Sequence, residues 1–223
     1  MGDFIVPTAL IIGASRGLGL GLARELAGRG WTVTGTVRSA ADRAAVAAAG
    51  ATAAIADITD PASIAALPPA ALDLLFINAG VKGPDHQDAG RATADEASAL
   101  FLTNALAPVA AARMLLDRVA PGGVLAFMSS IMGSVAGNER GDMELYRASK
   151  AALNSLTRSM VAKLDRPLTV LSLHPGWVRT DMGGGGADLD VETSVRGLVD
   201  VILARRGTPG SAFLDYSGAE LPW

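Results

Sequence analysis

Thr8-Ala-Leu-Ile-Ile12-Gly13-Ala-Ser-Arg-Gly17-Leu-Gly19 is the stretch on which the fold turns. A short apolar run passes directly into a glycine turn, and an apolar-periodic segment from Gly17 to Arg29 follows, so the order is strand, turn, helix. Glycines let a backbone turn tightly and approach a pyrophosphate, whose charge is favoured by the free N–H groups and positive dipole end of the next helix. The same residues would also serve a plain strand-to-helix turn with small side chains for packing. Their spacing is GxxxGxG rather than the widespread GxGxxG, which points to one branch of the doubly wound enzymes.

Outward from this stretch, short apolar runs alternate with longer Ala/Leu-rich segments of helical period, the pattern of a parallel sheet covered on both faces. Strands are expected near Thr8 to Ile12, Thr32 to Val37, Thr52 to Ala56, Leu72 to Asn78, Val124 to Ser129, Leu168 to His174 and Ser211 to Asp215. Helices are expected from about Thr93 to Val119, Met143 to Asp165 and Val191 to Ala204, and Asp60-Pro61 has the form of an N-cap followed by a first-turn proline. The fold class is therefore α/β: a doubly wound, Rossmann-like parallel sheet of about seven strands, one domain over residues 1–223. Gly183 to Gly186 is expected to be a flexible lid.

At 223 residues, half of them apolar and 18% charged, the chain has enough material for one sizeable core. A net charge of -3 gives no broad basic field, so neither nucleic acid nor an anionic membrane is an expected partner. There is no cysteine and only two histidines, His86 and His174, which excludes thiolate catalysis and argues against a catalytic metal. No run reaches the roughly 20 apolar residues of a spanning helix and no leader pattern opens the chain, so a cytoplasmic location is expected.

The end of the second strand carries the clearest discriminating signal. An NAD site usually places an acid there for the ribose 2′-hydroxyl, but this strand ends Thr36-Val37-Arg38-Ser39. A 2′-phosphate would meet the guanidinium groups of Arg38 and of Arg16 in the glycine turn, so NADP(H) is preferred, with NAD(H) as the lesser possibility. Asp42 nearby is placed to weaken Arg38 by pairing with it. Asp57-Ile58 ends the third strand and Asn78-Ala79-Gly80 the fourth, at the carboxyl edge where open α/β sheets bind ligands; each also suits a simple turn or cap.

Tyr146-Arg-Ala-Ser-Lys150 lies at the start of a helix, so tyrosine and lysine, four apart, share one face. An adjacent ammonium and a cationic oxidised nicotinamide would both favour phenolate and draw the phenol from its usual value near 10 towards neutrality. GxxxGxG, Asn-Ala-Gly, a serine after the fifth strand and YxxxK, in that order over almost the whole chain, resemble the short-chain dehydrogenase/reductase family. Length and the ending Asp215-Tyr-Ser-Gly-Ala-Glu-Leu-Pro-Trp223 further resemble its small carbonyl-reductase and C-factor-like subgroup.

The resemblance implies an oxidoreductase that moves a hydride between NADPH and a small carbonyl or alcohol. Tyr146 would be the general acid/base, Lys150 would lower its pKa and bind the nicotinamide ribose, and Ser130 would hold the substrate oxygen, with Ser129 as strand-end support. Asn104 matches the fourth catalytic position. Pro108 denies its carbonyl the usual N–H partner and bends the helix, freeing that carbonyl for a water that relays protons to Lys150, or else merely aiding packing. Gly13, Ser15, Arg16, Gly17, Leu18 and Gly19 would cradle the pyrophosphate, and Pro175, Gly176, Val178 and Thr180 would lie under the nicotinamide. Trp177, Met182 and His86 are candidate pocket walls. The family also implies a homodimer or homotetramer. Extended-branch epimerases need a longer chain and enoyl reductases a wider Tyr–Lys spacing. The rival from another class is a regulatory or signalling protein that binds NADP(H) with little turnover.

Overall fold

Seven parallel strands form one sheet in the order β3-β2-β1-β4-β5-β6-β7, in a computed structural model that describes residues 6–223. The strands are β1 (Thr8–Ile12), β2 (Thr32–Val37), β3 (Thr52–Ile55), β4 (Leu72–Ile77), β5 (Val119–Met128), β6 (Thr169–His174) and β7 (Gly210–Asp215). Each is linked to the next by helix: α1 (Gly17–Gly28), α2 (Arg43–Ala48), α3 (Pro61–Ala65), α4 (Ala94–Phe101), α5 (Ala107–Leu115), α6 (Glu144–Val161) and α7 (Val191–Arg205). The doubly wound parallel sheet expected from the sequence is what forms.

Alternation in the strands builds two cores. Ala9 and Ile11 join Leu22, Leu26, Phe76, Leu198 and Ile202 beneath α1 and α7, while Leu10 and Ile12 join Ile77, Phe127, Leu115 and Leu153 beneath α5 and α6. Both faces of the central strands are dry, which is why Ala9–Ile12 and Leu74–Ile77 are unbroken apolar runs, and each large side chain so buried contributes about 2 kcal/mol. Asp60 caps α3 through Ala62 N–H with Pro61 behind it, as the sequence signals.

Two elements depart from expectation. β5 begins at Val119, five residues early, because Val119 pairs with Leu72 before a register shift, and Pro121-Gly122-Gly123 forms the irregular part rather than a turn before the strand. The long helix expected from Thr93 to Val119 is α4 and α5 joined by a π-turn over Leu102–Leu106, in which Ala107 N–H reaches back to Leu102 carbonyl. Ala94–Arg118 as a whole is also long and apolar enough to cross a membrane, with a mean hydropathy of 1.6 over its most apolar window, contrary to the expectation from apolar runs alone. Half of that window is buried, and α5 packs on α3, α6 and the sheet, as a core helix does.

The C-terminal segment closes the outer side of β7. Leu214 bridges Glu220, Leu221 N–H donates to Phe213 carbonyl, and Trp223 packs on the Phe213 ring at 5.3 Å between centroids. A sheet edge left bare would be a template for pairing with another chain, and this segment covers it.

Candidate active site

Strand order reverses between β1 and β4, and the candidate residues collect at the carboxyl ends of the strands around that point. Gly13 leaves β1 with φ +91°, a conformation that side chains rarely adopt. Its N–H donates to Thr36 Oγ1 (2.9 Å), and its carbonyl accepts from Asn78 Nδ2 (2.6 Å). Asn78 and Ala79 N–H groups both donate to Ile12 carbonyl, so Asn78-Ala79-Gly80 is strapped to the glycine turn. Helix α1 then begins at Gly17 and Leu18, directly after Ser15 and Arg16, without a side-chain cap, since Arg16 contributes only extended backbone there.

Gly80 joins this end to the chemical one: a methyl group built on it would lie 3.3 Å from Asn104 Oδ1 and 3.4 Å from Lys150 Nζ. Asn104 sits in the π-turn with no exposed surface. Its Oδ1 accepts from Val81 N–H (2.8 Å), and its Nδ2 donates to Val81 carbonyl (2.8 Å) and to Ser149 Oγ (3.0 Å). Ser149 in turn donates to Tyr146 carbonyl (2.8 Å). Lys150 Nζ donates to Met128 carbonyl (2.9 Å) and stands 5.8 Å from the centre of the Tyr146 ring. The Ser130 hydroxyl, which accepts from Met132 N–H (3.2 Å), is close enough to the Tyr146 phenol to favour its ionised form. Ser129 is the support expected of it, donating to Asn154 Oδ1 (2.7 Å), and Asn154 Nδ2 reaches Gly133 carbonyl (3.2 Å). Asn104, Ser130, Tyr146 and Lys150, distant in sequence, thus come together.

Electrostatics differ from the sequence expectation. Burial pushes the Tyr146 phenol up to about 12, with the Ser130 hydrogen bond opposing, and burial pushes the Lys150 ammonium down to about 8. The expected drift of the phenol towards neutrality is therefore not a property of these side chains by themselves, because Lys150 directs its N–H to Met128 rather than to the phenol. What the protein supplies is a protonated acid beside a lysine poised near neutrality.

The segment after β6 arches back over the glycine turn. A methyl group on Gly17 would lie 3.6 Å from Thr180 Cγ2, and Arg16 is paired with Asp181 at 3.1 Å. That pair corrects one expectation: the acid holding a candidate phosphate-binding arginine is Asp181 on Arg16. At Arg38 the neighbouring carboxylate is that of Asp57, held below the usual range by two hydrogen bonds from Thr59 and, less, by Arg38. Ile58 puts its side chain into the core, leaving only its main chain for a ligand. Gly183 to Gly186 is not a loose lid: Thr180 Oγ1 accepts from Gly183 N–H (3.1 Å), Trp177 Nε1 donates to Gly183 carbonyl (2.9 Å), and Arg179 spans to Ala187 carbonyl (2.9 Å). Pro175 carbonyl accepts from Ser194 Oγ (2.6 Å), and Val178 bridges Leu189. Trp177 and Met182 are about half exposed, and His86 Nε2 lies 3.6 Å from Glu96 Oε1.

His174, at the end of β6, is pushed down to about 4 by burial, with Asp215 opposing. The unfolded chain therefore binds more protons than the folded one between the ordinary value near 6.5 and about 4, so stability present above that window is lost as pH falls through it. His174→Gln is expected to flatten this loss, by up to about 3 kcal/mol, in urea titrations at successive pH values. An unchanged slope would contradict the assignment.

Thr36, Gln87, Ser149 and Asn154 also belong to the site, although the sequence does not single them out. Each acts through a contact distant in sequence, for which no local pattern exists.

With this geometry in view, the family profile described as short chain dehydrogenase matches residues 7–187. The chain belongs to that family. Among curated relatives, the C-signal protein of Myxococcus xanthus is 42% identical over 164 residues, covering 68% of this chain and 93% of the relative. A short-chain dehydrogenase/reductase from Burkholderia multivorans, solved with bound NADP, superposes with a TM-score of 0.93 at 43% identity, covering 98% of this chain and all of that one. A carbonyl reductase from Pseudomonas aeruginosa PAO1 in complex with NADP gives 0.89 at 43% identity, with the same coverage. This member of the short-chain dehydrogenases is thus an oxidoreductase by family, and its similarity to solved carbonyl reductases runs along nearly its entire length.

Proposed function

We propose that this short-chain dehydrogenase is an NADPH-dependent reductase of small carbonyl compounds, reversible on the alcohols, with Tyr146 as general acid/base. The observation that carries the reading is that Asn104, Ser130, Tyr146 and buried Lys150 converge at the carboxyl ends of the strands, with Lys150 Nζ 5.8 Å from the centre of the Tyr146 ring and the Ser130 hydroxyl acting on its phenol. The uncapped start of α1, the tight glycine turn and the exposed guanidinium groups of Arg16 and Arg38 fit a dinucleotide bearing a 2′-phosphate. Bound there, the dihydronicotinamide supplies a hydride to the carbonyl carbon. Tyr146 gives its proton to the carbonyl oxygen while the Ser130 hydroxyl holds that oxygen, so hydride and proton together make the alcohol. Lys150, with its pKa near 8, is placed to return a proton to the phenolate. Pro108 brings no N–H to the Asn104 carbonyl, which is thereby left to accept from a water feeding Lys150. Gly13, Ser15, Gly17, Leu18 and Gly19 bind the pyrophosphate, Asp57, Ile58 and Asn78-Ala79-Gly80 the adenosine side, and Pro175, Gly176, Val178 and Thr180 the carboxamide end. Both close NADP-bound structures, one of a carbonyl reductase, support this choice of cofactor and substrate class.

The test is consumption of NADPH and, in parallel, NADH over a panel of aldehydes, ketones, diketones and quinones. NADPH is expected to be preferred, and Arg38→Ala is expected to raise its KM about tenfold or more while leaving that for NADH unchanged. Equal use of both cofactors by the parent protein would sink the arginine reading. The C-signal relative supports a second reading, in which the chain binds NADP(H) and signals with little turnover. Under it, Tyr146→Phe would leave the biological effect intact.

A further inference from the structure

Helix α6 carries Tyr146 and Lys150, and although Arg147 in its first turn binds back to the Asp142 carbonyl (2.6 Å) and carboxylate (2.6 Å), no local side chain caps the first N–H groups of the helix. The N-cap, Met143, has φ +54° and ψ 42°, left-handed rather than the extended conformation of an ordinary cap, and makes no side-chain cap bond. Among the described non-glycine residues, positive φ occurs only at Met143 and at Gln87 (φ +53°), and the segments that carry them are bonded to each other. Gln87, in the loop between β4 and α4, is almost fully buried at 6% exposure. Its Oε1 accepts from the N–H of Tyr146 (2.9 Å), the third residue of α6, and its Nε2 donates to the carbonyls of Lys82 (3.0 Å) and Pro84 (2.6 Å). Every hydrogen-bonding direction of Nε2 is thereby engaged. A second stitch runs the other way, from Ala89 N–H to the Glu144 carboxylate (2.8 Å) in the same first turn.

We propose that Gln87 is a positioning residue for the catalytic helix: its carboxamide supplies, from a loop 59 residues upstream, the cap that the chain before Tyr146 lacks, and so fixes where the phenol stands. An N-terminal cap normally bonds the second or third N–H of a helix, and Tyr146 N–H is the third. Two residues in a disfavoured backbone region persist only where the surroundings hold them, and here each is held by the other's segment. The loop from Lys82 to Ala89 and the first turn of α6 consequently move as one piece. Any displacement of the loop, by a substrate lying against it, is transmitted to the helix that carries the phenol through these two bonds, of which the one from Gln87 reaches Tyr146 itself. Charged and titratable side chains in this neighbourhood are Lys82, Asp85, His86, Asp88 and Glu96 on the loop side and Asp142, Glu144 and Arg147 at the start of α6.

The inference rests on Tyr146 being the acid, and the test separates the two claims. Gln87→Met keeps the length and apolar stem while removing all three bonds. It is expected to lower kcat about tenfold or more and to shift the pH profile of kcat, with NADPH affinity unchanged by fluorescence titration. Gln87→Glu keeps an acceptor for Tyr146 N–H and, once protonated, a donor for the loop carbonyls, so its deficit should narrow from about pH 8 to about pH 6 while that of the methionine variant does not. Hydrogen exchange of the peptide spanning residues 143–149 should be faster in Gln87→Met, and also in the glutamate variant at the higher pH. A folded methionine variant with wild-type kcat, pH profile and exchange would overturn the proposal. If that variant does not fold, unaltered exchange and kcat across the pH range in Gln87→Glu would overturn it equally. Retention of turnover by Tyr146→Phe would remove the catalytic reading, and the exchange rates would then decide by themselves whether Gln87 caps α6.

Discussion

Tyr146→Phe is expected to lower kcat for carbonyl reduction by about a thousandfold, within the range that a positioned general acid contributes. The ring stays, so packing and the Lys150 contact at 5.8 Å from its centre stay too, and only the phenolic oxygen near Ser130 is lost. NADPH affinity should change little, because the dinucleotide is held by the glycine turn and the arginines rather than by the phenol. The control is therefore fluorescence titration of NADPH in both proteins alongside steady-state kinetics. Loss of turnover with binding intact establishes Tyr146 as the proton donor; a fall of less than tenfold would mean that the acid lies elsewhere. Thermal stability should change little, since the half-buried ring is kept and a single hydroxyl contributes little net of its own desolvation.

The second large effect falls on the fold as well as the site. Gly19→Ala would put a methyl carbon inside contact distance of the Gly13 carbonyl oxygen and 2.5 Å from Asn78 Nδ2, where those two atoms are themselves hydrogen-bonded at 2.6 Å. Both obstacles belong to elements fixed by other bonds: the carbonyl is backbone, and Asn78 N–H is held by Ile12. The substitution is expected to cost about 3 kcal/mol, the upper end for overpacking, and to lower Tm by roughly 10 °C. NADPH binding should weaken at least about a hundredfold, because α1 must shift away from the turn that presents its N–H groups. Calorimetry with and without NADPH reads both. An alanine variant with parental Tm would show that α1 is freer to move than its contacts with Gly13 and Asn78 imply.

Much of this is legible in the amino-acid order. The central strands reveal themselves because both faces of a parallel sheet are dry there, which leaves unbroken apolar runs such as Leu74–Ile77. The four catalytic positions are legible because each stands next to a feature with its own local reason: a strand end for Ser130, a helix start for Tyr146 and Lys150, a proline for Asn104. Whatever depends on two distant segments is hidden. Gln87 lies in a stretch with no period, Thr36 looks like any β-branched strand residue, and the acid paired with Arg16, Asp181, is far along the chain from it. Pro121-Gly122-Gly123 carries turn chemistry, yet pairing of Val119 with Leu72 overrides it. Four glycines in a row indicate slackness, whereas Thr180, Trp177 and Arg179 tie that segment through its main chain, where side-chain identity gives no signal.

The π-turn at Leu102–Leu106 has a consequence for how the long helix can change its length. In an unbroken α-helix, one added or missing residue turns everything beyond it by about 100°, which would swing Val109, Ala112 and Leu115 away from the sheet. A wide turn takes up an extra residue locally and leaves the helices on either side in phase. Shortening the chain by one residue between Leu102 and Leu106 would therefore let an ordinary helix run through with its apolar face still on the core, while the same deletion inside α5 would rotate that face into water. At this one place the protein can gain or lose the backbone that presents Asn104 without repacking the rest.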